Sequence, residues 1–153
     1  VPPSSLIFSR QAVKDLPAGT DYSQAEKGAY CVMDDPNPEV ILIGSGSEVS
    51  TLVDAAAMLR QAGHAIRVVS CPSEGLFRRQ SKEYQEKILP SGVKKYGLTA
   101  GLAVTLKGLV GENGRIHSFD SFGYSAPFPV LDEKLGFTPE FVYNDILSFL
   151  GEA

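Results

Sequence analysis

The stretch Val40-Ile41-Leu42-Ile43-Gly44-Ser45-Gly46-Ser47-Glu48-Val49 decides the fold. Val40 to Ile43 are consecutive apolar residues, mostly β-branched. That is the character of a parallel strand covered on both faces, since a strand with one wet face alternates. Gly44 ends the run. From Ser47 the period changes: Val49, Leu52, Val53, Ala56 and Leu59 share one helical face, and Gly63 supplies the left-handed residue that stops a helix. Ile66, Val68 and Val69 then make the next strand. Residues 40–70 therefore read as a complete strand-helix-strand crossover, right-handed by the general rule, with its two strands parallel.

Working outward, Tyr30-Cys31-Val32 is a short strand ended by Asp34, Asp35, Pro36 and Pro38. Residues 1–28 read as an arm or linker. Its one apolar run, Leu6-Ile7-Phe8, has nothing beside it in sequence to cover both faces of a strand, so its partner is expected outside this chain. On the C-terminal side, Pro72 and Ser73 turn into a region helical by composition, with Leu76 and Phe77 in a short first piece and Tyr84, Ile88 and Leu89 in a later one closed by Pro90. Residues 93–98 are a third core strand, 101–110 a short helix and 116–119 a fourth strand of the core. Past Pro127 the chain is helical again: Thr138 is an N-cap with Pro139 at the first helical position, Phe137 can staple onto Val142, and Val142, Ile146, Phe149 and Leu150 form a stripe. The sum is a three-layer α/β/α sandwich over residues 29–153.

At 153 residues, 43% apolar and 21% charged, the chain has the size and composition of one folded domain, which excludes general disorder. A net charge of -4 without a basic run gives no footprint for nucleic acid or an anionic membrane. No run approaches the roughly 20 apolar residues that span a bilayer, and the N-terminus lacks the pattern of a signal peptide, so a cytoplasmic location is expected. Cys31 and Cys71 match no zinc or redox spacing and read as reduced, buried thiols.

Gly44-Ser45-Gly46-Ser47-Glu48-Val49 is a glycine-rich turn into a helix N-terminus, where free N–H groups and the dipole favour a phosphate. A dinucleotide fingerprint wants glycine at Val49 and a carboxylate after Val69-Ser70-Cys71, and both are missing. Ser45 and Glu48 instead spell a capping box. His64 and His117 each lack a second ligand at metal spacing and read as surface or loop histidines. Gly123-Tyr124-Ser125 lacks the second glycine of a nucleophile elbow. Asp132 and Glu133, being adjacent, point apart on a helix and read as a solvated first turn. Arg10, beside Ser9 and Gln11, offers a forked cation with hydrogen-bonding neighbours suited to an anion.

The chain resembles the C-terminal part of the transketolase family. The resemblance rests on Phe8-Ser9-Arg10-Gln11, Gly28-Ala29-Tyr30, residues 43–49 and Val68-Val69-Ser70-Cys71-Pro72-Ser73. Residues 80–90 also fit, and Phe122-Gly123-Tyr124-Ser125-Ala126-Pro127 followed by Leu135-Gly136-Phe137-Thr138 is its most specific part. It implies a mostly parallel sheet of about five strands with one antiparallel edge strand. It also implies a parent enzyme that moves two-carbon ketol units between sugar phosphates, usually as a homodimer, and whose first two domains hold thiamine diphosphate and a divalent cation. Neither cofactor nor any catalytic residue is implied for this chain. Residues 1–28 would be the tail of the middle domain, and Arg10 would help bind the substrate's phosphate.

Two departures stand out. The family's VEAG segment reads Leu98-Thr99-Ala100-Gly101, and no tryptophan follows it. The function expected is a scaffolding, dimer-supporting domain without activity of its own. The alternatives are a regulatory module binding a small ligand or nucleotide through residues 44–48, a free-standing interaction protein, or the equivalent domain of another thiamine-diphosphate enzyme.

Overall fold

The computed structural model describes residues 5–9 and 12–152. Arg10 lies outside the described residues. The elements run in the order β1 (Tyr30–Asp34), β2 (Val40–Gly44), α1 (Ser47–Gln61), β3 (Ile66–Ser70), α2 (Glu74–Arg78), α3 (Lys82–Ile88), β4 (Lys94–Thr99), α4 (Val104–Val110), β5 (Arg115–Ser118), α5 (Phe128–Leu135) and α6 (Pro139–Leu150). A short 3-10 turn, Tyr22–Lys27, precedes β1 and is capped by the Asp21 carboxylate on the Ser23 N–H.

The strands form one sheet in the order β1-β3-β2-β4-β5. β2 pairs in parallel with β3 (Leu42 opposite Val68) and with β4 (Leu42 opposite Tyr96), and β5 continues the parallel set. The edge strand β1 is antiparallel to β3, with a register shift between Cys31 and Met33. This is the mixed sheet that the resemblance implies.

Every residue of β2 is buried because both faces of the sheet are covered. Val40 and Leu42 face one way, into a core shared with Leu52, Ala56 and Leu59 of α1 and Val142 and Ile146 of α6. Ile41 and Ile43 face the other, against Phe77 of α2, Ile88 of α3 and Leu106, Leu109 and Val110 of α4. Each such side chain removed from water contributes about 1.5–3 kcal/mol, so the unbroken apolar run is what commits this segment to the middle layer. α6 is tied to the sheet by a polar bridge as well. Tyr96 donates its hydroxyl to Asp145 Oδ2 at 2.8 Å, and Arg115 donates to Asp145 Oδ1 at 2.8 Å.

Most elements lie where the sequence puts them, and Thr138 caps α6 by accepting the Phe141 N–H. Four local readings change. His117, read as a surface or loop histidine, is half-buried on β5, whereas Leu6, Ile7 and Phe8 lie in the arm as expected and are 78%, 95% and 83% exposed. Asp132 sits in the second turn of α5 and is half-buried, whereas only Glu133 is solvated. Cys31 is half-buried while Cys71 is buried. The fourth change, at Ser45, concerns the site itself.

Candidate functional site at the C-terminal edge of the sheet

β2 and β4 are neighbours, yet the chain leaves β2 for the α1 face and leaves β4 for the α4 face. Their C-terminal ends therefore splay, opening the crevice where open α/β sheets place ligands. In this chain the crevice is bridged from within. Gly46 has φ 62 and ψ -133, a backbone that only glycine adopts readily, and this makes Gly46 the N-cap of α1 with no side-chain cap bond. The capping box of Ser45 and Glu48 does not form, because Glu48 is one position too early relative to that cap and turns outward instead. Its Oε1 accepts the Ala100 N–H at 2.9 Å, and its Oε2 accepts the Ser47 hydroxyl at 3.1 Å.

The consequence is electrostatic. A carboxylate already sits at the helix N-terminus where a phosphate would have to bind, so a second anion there meets like charge. Beside it lies a recess of about 260 Å³ bordered by Glu48, Thr51, Tyr124, Asp132 and Phe137. Burial first, and then the Glu48 charge, pushes the Asp132 carboxyl above its usual range. These residues do not fit a diphosphate-bearing cofactor, and no step of such chemistry is assigned to them.

The same edge is apolar at its rim. Phe122 and Tyr124 on the loop after β5 are 97% and 65% exposed. Leu102 and Val104, just after β4, are also exposed, as is Phe128 at the start of α5. The arm crosses here too: a second recess, of about 390 Å³, opens between Phe8, Val13 and Leu16 of the arm and Tyr30, Gly46 and Ser70 of the sheet edge.

The other residues singled out from sequence are scattered. Ser125 lies exposed on the loop 119–127. His117 is half-buried, has its Nε2 within 2.8 Å of the Leu135 carbonyl and lies against the rings of Phe137 and Phe141 at 5.0 and 4.9 Å. Thr99 accepts the Gly101 N–H at 3.0 Å and closes the turn after β4. Burial pushes the Cys71 thiol up to about 11 and also raises that of Cys31. His64 does have carboxylate neighbours, Glu39 and Glu152, which its sequence surroundings did not reveal. Neither that cluster nor the Glu48 to Ala100 bridge has a local sequence signal, because each joins segments far apart in the chain.

Residues 28–138 match the model of the transketolase-like TK C-terminal domain. The chain belongs to this family. A transketolase of Staphylococcus aureus (strain MW2) is 39% identical over 150 residues, covering 95% of this chain and 23% of the relative. The chloroplastic transketolase-1 of Arabidopsis thaliana is 42% identical over 151 residues, covering 96% of this chain and 20% of the relative. A crystal structure of a Pichia stipitis transketolase variant superposes with a TM-score of 0.85 at 29% identity, over 93% of this chain and 20% of that one. The transketolase C-terminal domain described here thus spans about a fifth of the length of these relatives. Its similarity is to transferases and favours neither the regulatory-module nor the free-standing reading. No helix among the described residues is long and apolar enough to cross a membrane.

Proposed function

We propose that this transketolase C-terminal domain is the scaffolding and dimer-supporting part of an enzyme that transfers two-carbon ketol units between sugar phosphates. In this reading residues 1–28 belong to the tail of the preceding domain, and residues 29–153 pack through the C-terminal edge of the sheet against the rest of the enzyme. One observation carries it. The crevice at that edge is spanned by the Glu48 carboxylate, which disfavours an anionic ligand, while Phe122, Tyr124, Phe128 and the arm's Leu6, Ile7 and Phe8 stand exposed around it. An edge that carries a carboxylate at its centre and is apolar at its rim suits docking against protein better than binding a phosphate. Thiamine diphosphate and a divalent cation would be held by the other domains, where the cofactor would supply the carbanion chemistry of ketol transfer. Arg10 would contact the substrate's phosphate. The enzyme would work in the cytoplasm or, as the name of the Arabidopsis relative has it for that protein, in a plastid.

The test is reconstitution. The purified chain, given thiamine diphosphate, magnesium, xylulose 5-phosphate and ribose 5-phosphate, should show no turnover. Joined to the first two domains of a transketolase it should support turnover, and Phe122→Asp with Phe128→Asp should weaken that assembly. Turnover by the chain alone, or an assembly indifferent to both substitutions, overturns the proposal.

A further inference from the structure

α1 and α6 pack side by side and finish at the opposite edge of the sheet, and both stop in the same way. At the end of α1 the Gly63 N–H returns to the Arg60 carbonyl at 3.0 Å and the His64 N–H to the Leu59 carbonyl at 3.0 Å. At the end of α6 the Gly151 N–H returns to the Ser148 carbonyl at 3.2 Å and the Glu152 N–H to the Leu147 carbonyl at 3.0 Å. Each is a left-handed glycine followed by one residue that reaches back into the helix. Those two following residues meet: His64 Nε2 is 3.3 Å from Glu152 Oε2.

The other ring nitrogen is also engaged. Nδ1 lies 3.1 Å from Oε2 of Glu39, in the loop before β2, and Glu39 Oε1 takes the Ala65 N–H at 3.4 Å as well. The His64 side chain is only 9% exposed, so water does little to replace either contact. The nearby cations are otherwise committed. Arg60, in the last turn of α1, is held by Asp35 at 2.6 and 2.8 Å, and Lys94 donates to the Phe149 carbonyl at the end of α6 at 3.3 Å.

A neutral imidazole has one N–H, so it donates to one carboxylate and turns a lone pair on the other, whereas the doubly protonated ring donates to both. We propose that His64 is a proton-operated latch that ties the segment after α6 to the end of α1 and to the loop before β2. Protonated, it holds Glu39 and Glu152 together. As pH rises through the range in which histidines lose their charge, the contact to Glu152 opens first. Glu39 keeps its second bond to Ala65, while Glu152 has the longer contact to the ring and lies past the last helix. Hydrogen bonding to His64 is also the largest of the effects that hold the Glu39 carboxyl below its usual range. One ligand atom from each of Glu39, His64 and Glu152 lies within 4.8 Å of the other two, so a metal ion is the competing occupant of the cluster, which EDTA distinguishes from a proton.

NMR of the full chain between pH 5 and 9 tests this. The His64 Cε1–H and the amides of Gly151 and Glu152 should titrate with one shared midpoint, and the heteronuclear NOE of those two amides should fall above it. Glu152→Gln, an exposed change, should make the tail amides independent of pH. Tail amides that do not follow His64, or that still follow it in Glu152→Gln, overturn the latch. A titration curve displaced by EDTA also overturns it, by assigning the cluster to a metal ion.

Discussion

Glu48 accepts the Ala100 backbone N–H at 2.9 Å, joining the first turn of α1 to the loop that follows β4. The bond spans the crevice between the ends of β2 and β4 with the chain's own negative charge. Glu48→Ala removes a charge-assisted but solvent-facing bond, so the expected loss is about 1 kcal/mol, a fall in Tm of roughly 2–4 °C for a chain of this length. Glu48→Gln keeps an acceptor and should lose less. Inorganic phosphate at millimolar concentration should leave the Gly46 and Ser47 amides of the unsubstituted chain unmoved. Saturable shifts there would show that Glu48 does not guard the helix N-terminus.

Asp35 is the second polar junction with a clear pH signature. It accepts from Arg60 Nε at 2.8 Å, from the second Arg60 nitrogen at 2.6 Å and from the Ile66 N–H at 2.9 Å, joining the end of α1 to the start of β3. The Arg60 hydrogen bonds, ahead of the Ile66 N–H, hold its carboxyl below the ordinary 3.8. For a group depressed in the folded state, the stabilisation is complete above the unfolded value and is lost as pH falls through the folded one. The stability gap between the unsubstituted chain and Asp35→Asn should therefore be constant from pH 7 to 5 and shrink below about pH 4. Urea melts across that range measure it. A gap unchanged at pH 3 would mean that the Asp35 charge contributes nothing.

Cys71 should be inert. With its thiol pushed by burial from 9.0 to about 11, the thiolate fraction at pH 8 is about a hundredfold below that of an ordinary cysteine. Labelling by a disulfide reagent at pH 8 should be slower than for the denatured chain by at least that factor, and urea should release it. Labelling of Cys71 in the native chain at the denatured rate would place the thiol at the surface.

The fold was legible because its signals are local. An apolar run at residues 40–43 needs cover on both faces, Gly63 needs a left-handed position, and Thr138-Pro139 starts a helix whatever lies beyond it. The site was less so. Ser45 and Glu48 have capping-box spacing, but the conformation of Gly46 moves the cap by one residue, and a residue 52 positions away takes the carboxylate. Asp132 reads as solvated beside Glu133, yet the charge that bears on it is that of Glu48, from another helix. The carboxylates around His64 come from 25 residues before it and from the end of the chain. Periodicity reports which face of an element is buried, and it carries no information on which loops converge.

Arg10 lies outside the described residues, and the phosphate role proposed for it has support in its neighbours and its chemistry. Ser9 lies over the N-cap of α1, with its hydroxyl 3.8 Å from where a Cβ on Gly46 would be, and Ile7 and Phe8 are exposed beside the same edge. The arm therefore runs along the face proposed to meet the rest of the enzyme. A guanidinium contact to a dianionic phosphate is a charge-assisted pair worth about 2–3 kcal/mol. In an enzyme assembled with this domain, Arg10→Ala should raise the KM for xylulose 5-phosphate by roughly 30- to 150-fold. Hydroxypyruvate, which has no phosphate, should be used almost as before, and Arg10→Lys should recover only part of the loss because a point charge replaces a fork. Equal losses towards hydroxypyruvate and xylulose 5-phosphate would make Arg10 a structural residue and sink the phosphate assignment.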